Sequence, residues 1–79
     1  MSKASIYFTV DNVNGKHDTK EIKRELDTFR GVISVSVNDR TECIAVDFDT
    51  TGVRPEQLET KIENLGYKIT HTRFENHIM

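Results

Sequence analysis

The sequence predicts an α+β domain in which four strands form one antiparallel sheet and two helices cover one of its faces. Three observations predict this. Short runs of alternating apolar and polar residues recur along the chain, two longer runs repeat apolar residues at helical spacing, and the order is strand, helix, strand, strand, helix, strand.

The first strand is carried by Ile6, Phe8 and Val10, which alternate with Ser5, Tyr7 and Thr9. A polar loop from Asp11 to His17 follows, with Asn14-Gly15 as its turn signal. Asp18 is placed to cap a helix, with Glu21 three residues on to reach back. Ile22, Leu26 and Phe29 make its apolar stripe, and Gly31 is expected to end it, because glycine takes the left-handed conformation without steric cost.

Ile33, Val35 and Val37 give a second strand its dry face. Asn38 to Thr41 is a turn cluster, and Ile44, Val46 and Phe48 are the dry side of a third strand, so these two form a hairpin. Pro55 suits the first position of a second helix striped by Leu58, Ile62 and Leu65, with Val53 stapled onto Leu58 and Gly66 at the end. Tyr67 and Ile69 open a fourth strand that runs to Thr72, and Arg73 to Met79 is expected to be a loose tail. The expectation is one domain over residues 1–79 with its core at about 4–72. Two strand–helix–strand units with right-handed crossovers make a ferredoxin-like βαββαβ sandwich. Its open face would present Ser5, Tyr7, Thr9, Ser34, Ser36, Cys43, Ala45, Asp47, Lys68 and Thr70 to water.

Composition narrows the function. Eleven Lys and Arg stand against thirteen Asp and Glu, a formal charge of −2, which lacks the basic excess of nucleic-acid binders. Tyr7 is the single aromatic expected on the open face, too few for the base-stacking platform that some domains of this topology use on RNA. The N-terminus has no long apolar run and no stretch reaches membrane-spanning length, so neither a signal peptide nor membrane insertion is expected. Cys43 is the only cysteine, which precludes an intramolecular disulfide and suits a reducing cytoplasm.

Several stretches together resemble the heavy-metal-associated domain of copper chaperones and of the N-terminal arms of metal-pumping ATPases. They are the strand ending at Val10, the helix Lys20 to Leu26, the run Gly31-Val32-Ile33-Ser34-Val35-Ser36-Val37-Asn38, and the closing Leu58, Ile62, Glu63, Leu65, Gly66-Tyr67. The likeness spans roughly residues 5 to 70. The resemblance implies a Met-x-Cys-x-x-Cys loop whose two soft thiolates hold Cu(I). Aligned on it, Val13 falls at the Met position, and Gly15 and Asp18 stand where the family has its cysteines. The thiolate ligands do not carry over, and the aromatic that the family keeps beside its metal loop is matched by Tyr67.

Two readings of this region remain. His17 and Asp18, with Asp11 or Asn14, offer harder donors for Zn(II) or another divalent ion, while the simpler reading makes Asp18 a cap and His17 a solvated side chain beside Lys16. No cofactor is therefore expected beyond weak divalent-metal binding; His71, His77 and Met79 are a second and poorer metal candidate. Gly15-Lys16 before a helix start is a faint anion signal without a phosphate-loop pattern. Acylphosphatases share the topology, but their loop arginine has no match here and no nucleophile–base pair is evident, so no enzyme activity is expected.

Charge placement points to a protein partner. Lys16, Lys20, Lys23 and Arg24 cluster on the first loop and helix, opposite in sign to Glu56, Glu59 and Glu63 on the second. Domains of the resembled family dock through these same surfaces. The expectation is a non-enzymatic docking module within metal homeostasis, with divalent-metal binding as the alternative.

Overall fold

The computed structural model describes residues 3–11 and 15–77, apart from the side chains of 15–17 and 76–77. The elements are β1 (Lys3–Asp11), α1 (Gly15–Leu26), β2 (Val32–Asn38), β3 (Cys43–Asp49), α2 (Pro55–Asn64) and β4 (Lys68–His77). The sheet order is β2-β3-β1-β4 with every neighbouring pair antiparallel. This is the expected ferredoxin-like βαββαβ sandwich, and alternation along the strands supplies its core. Ile6, Phe8, Val10, Ile44, Val46 and Phe48 are buried against Ile22 and Leu26 of α1 and Leu58 and Ile62 of α2.

α2 follows the local rules closely. Pro55 opens it, and the Arg54 amide is held by Gln57 Oε1 at 2.9 Å. Val53 and Leu58 are both buried, and Gly66 follows the helix with φ +102°. α1 departs from them at both ends. It starts at Gly15, so Asp18 lies within the first turn rather than at the cap, where a carboxylate still complements the positive end of the helix. It stops at Leu26, five residues before Gly31, and the Thr28 hydroxyl binds the Glu25 carbonyl at 2.7 Å. Phe29 packs on the core from the turn that follows.

Gly31 ends that turn with φ +94°, and a Cβ there would lie 2.9 Å from the Gly52 Cα, so two backbones cross where neither tolerates a side chain. The Asp49 amide binds the Gly31 carbonyl at 2.7 Å across this crossing.

Three further expectations are corrected. Ile33 follows the alternation of the dry face but is 52% exposed, because the β2–β3 register shifts between Val32 and Ser34 and leaves it as the extra residue of a bulge. Ser5, expected to face water, is buried and donates to the Asp47 carboxylate, which also receives Ser34 at 3.0 Å. The stretch Arg73 to His77 is not a loose tail: it continues β4, because β1 starts at Lys3 and offers it backbone partners as far as the pair Lys3 and His77. Ile78 and Met79 lie outside the described residues.

Candidate functional site: the α1 start and its flank

β1 delivers the chain to the loop end of the sheet, and α1 begins there on the covered face. Asp18 is half-buried in the first turn of α1 and accepts a hydrogen bond from the Tyr67 phenol. Burial raises the Tyr67 pKa above its ordinary value, and the negative charges of Asp18 and Glu21 and the bond to Asp18 push it the same way. Asp18 and Tyr67 thus tie the start of α1 to the segment entering β4. The aromatic has a packing role, being only 8% exposed, and a polar one through its hydroxyl.

The proposed metal ligands meet different fates. His17 is helical in its backbone, but its side chain lies outside the described residues. Asp18 is engaged with Tyr67. Among the described residues no group of three or more His, Cys, Asp or Glu side chains is placed to hold an ion. The donor chemistry at the two family ligand positions does not fit Cu(I), since Gly15 has no side-chain donor and Asp18 offers a hard oxygen.

Cys43 is nearer this region than alternation alone suggests. It pairs with Thr9 at the loop end of the sheet, but on the open face, whereas α1 lies on the covered one. The residue as a whole is half-buried. His71 and His77 sit six residues apart on β4, a span of ~20 Å along a strand, too far to share one ion.

Lys20 and Lys23 come together on the exposed flank of α1. With Thr19 they form one wall of a groove of about 300 Å³ whose other wall is Val35, Ser36 and Val37 of β2. Arg24 is not part of it: its guanidinium reaches Glu25 at 3.9 Å. Glu25 also receives Lys61 of α2 at 3.1 Å, a half-buried bridge between the helices. The Lys16 side chain lies outside the described residues. Sequence reading found the lysines through their charge. It missed the β2 wall, because helix–strand juxtaposition is a non-local fact.

The sequence matches the model of the heavy-metal-associated domain over residues 7–68. The chain belongs to the heavy-metal-associated domain family. No curated protein matches the sequence. Among solved structures, the heavy-metal-associated fold of this chain is similar to the CopZ metallochaperone, with 24% identity over 84% of this chain and 98% of the other and a TM-score of 0.81. It is similar to the water-soluble region of the P-type ATPase CopA from Bacillus subtilis, with 27% identity over 87% of this chain and 46% of that one and a TM-score of 0.81. It is also similar to oxidised MerP from Ralstonia metallidurans CH34, with 18% identity, coverage of 87% and 99%, and a TM-score of 0.77. The fold is thus that of metallochaperones and of ATPase metal-binding domains. Among the described residues no helix is long and apolar enough to cross a membrane.

Proposed function

We propose that this heavy-metal-associated domain is a non-enzymatic docking module of metal homeostasis that works in the cytoplasm and does not carry Cu(I) on its first loop. Its contact surface is the flank of α1, and its partner is a protein with an acidic face. The groove in which Lys20 and Lys23 stand over β2 carries this reading. Two ammonium groups beside the exposed Ser36 and the half-buried Val37 can steer and then seat a carboxylate-bearing surface. Gly15 and Asp18 support the other half, since the first has no donor and the second is bonded to Tyr67. The alternative is a divalent ion held by His17 and Asp18, whose hard nitrogen and oxygen donors suit Zn(II) better than Cu(I).

Amide NMR of the reduced protein tests the metal half, with Zn(II) and, separately, with Cu(I) held by a competing ligand. The expected outcome is no stoichiometric shift centred on Asn14 to Thr19. Saturable shifts there with Zn(II) would instead establish His17 and Asp18 as ligands, and with Cu(I) would overturn the proposal. For the docking half, the domain is titrated with the isolated metal-binding domain of a copper-pumping ATPase that presents an acidic face. The double variant Lys20→Glu with Lys23→Glu is expected to weaken binding by roughly tenfold or more at low salt. Equal binding by variant and parent would remove the lysine flank from the interface.

A further inference from the structure

The opposite edge of the sheet carries an independent surface. β4 is an edge strand of ten residues, paired on one side with β1. Beyond the bulge at Thr70 its register with β1 is unbroken from His71 to His77. Backbone parity shows which of its groups face outward. The Val10 amide donates to the Glu42 carbonyl on the β3 side, while the Thr9 carbonyl accepts the Thr70 hydroxyl of β4. Odd-numbered residues of β1 therefore turn their amides and carbonyls to β4, pairing Tyr7 with Arg73 and Ser5 with Glu75. Thr72, Phe74 and Asn76 lie between these pairs, and their backbone groups point away from the sheet. Phe74 pairs with Ile6 on the helix-covered side yet is 48% exposed, with its ring centroid 6.3 Å from that of Phe48.

We infer that this edge pairs with β4 of a second copy of the chain, antiparallel and centred on Phe74, to make one eight-stranded sheet. Hydrogen bonding requires outward-facing residues to meet one another, which leaves three central registers. One centred on Arg73 sets two arginines directly opposite, and one centred on Glu75 sets two glutamates opposite; both repel. The register centred on Phe74 places each Arg73 opposite the other copy's Glu75, on the open face. It stacks the two Phe74 rings on the other face, and pairs Thr72 with Asn76. In the single chain Arg73 lies 3.7 Å from its own Glu75 and over the Tyr7 ring at 5.8 Å, with its side chain 75% exposed, so it is free to turn outward. No proline interrupts β4, and mid-strand charges alone do not block an edge when the partner strand supplies the opposite sign.

One edge strand and one aromatic pair make a small interface, so association is expected at a dissociation constant of about 0.1–1 mM. Sedimentation equilibrium of the whole chain up to ~1 mM tests it. The parent is expected to dimerise, with concentration-dependent amide shifts at Thr72, Phe74 and Asn76. R73E and E75R, which each place like charges opposite one another, are expected to weaken self-association about tenfold. Mixing R73E with E75R in equal amounts restores opposite charges at both positions and is expected to restore the dimer. A parent that stays monomeric, single variants that dimerise as strongly as the parent, or a mixture that does not associate would each overturn the inference. None of these readouts involves Lys20 or Lys23, so failure here leaves the α1 flank untouched.

Discussion

The two edges of the sheet solve the same problem in different ways. β2 is short, its register is broken at Ile33, and Lys20 and Lys23 of α1 stand beside it. Bulges and lysines are the usual means of stopping an edge strand from pairing, so the contact proposed for this edge runs through side chains. β4 is longer, regular from His71 to His77, and carries an exposed aromatic beside a pair of opposite charges. It is suited to backbone pairing. The two proposed interfaces would not compete, because β2 and β4 lie at opposite ends of the order β2-β3-β1-β4.

The largest effect is expected where β2 is anchored. Gly31→Ala forces a Cβ to within 2.9 Å of the Gly52 backbone at φ +94°, and should cost about 3 kcal/mol or more in urea unfolding. Gly66→Ala meets nothing within 4 Å and pays for its positive φ alone, about 1 kcal/mol. Equal costs would show that the crossing of Gly31 over Gly52 does not anchor the β2 edge.

A pair of truncations compares the edges directly. Val35 is 5% exposed under α1, and Val35→Ala should cost about 2 kcal/mol. Phe74 has the larger ring but is 48% exposed, so Phe74→Ala, measured on dilute protein, should cost about 1 kcal/mol. A larger cost at Phe74 would mean that it is core rather than edge.

The smallest effect concerns Tyr67, which links the α1 side to the start of β4. Its raised pKa means that the folded state holds the phenolic proton more tightly than the unfolded chain. That stability is fully present below the ordinary phenol value of about 10 and is lost as pH rises through the higher folded-state value. Unfolding midpoints should fall in this alkaline range, and Tyr67→Phe should flatten the fall. An unchanged slope in Tyr67→Phe would show that Tyr67 does not govern the alkaline loss.

Much of this was legible in residue order. Apolar alternation gave all four strands, and Pro55, Val53 and Gly66 gave α2 nearly to the residue, because caps and staples are local. The misreadings came from distant partners. Ile33 follows the alternation but falls on a bulge against β3; Ser5 looks solvent-facing but is covered and bonded to Asp47; Arg73 to His77 looks like a tail but meets β1. Gly15 and Asp18 were legible as the residues at the thiolate positions, while the bond from Tyr67 to Asp18 was not.

The sequence by itself determined the fold class, the two helical stripes, the single cysteine and the basic run on α1, since period, composition and capping are properties of neighbouring residues. Only the tertiary structure decided that Lys20 and Lys23 share a groove with β2, that Asp18 is bonded to Tyr67, and that the edge of β4 turns Thr72, Phe74 and Asn76 outward. Those facts depend on strand register and on how helices lie over the sheet. Both are set by contacts between residues far apart in the chain, which no local pattern encodes.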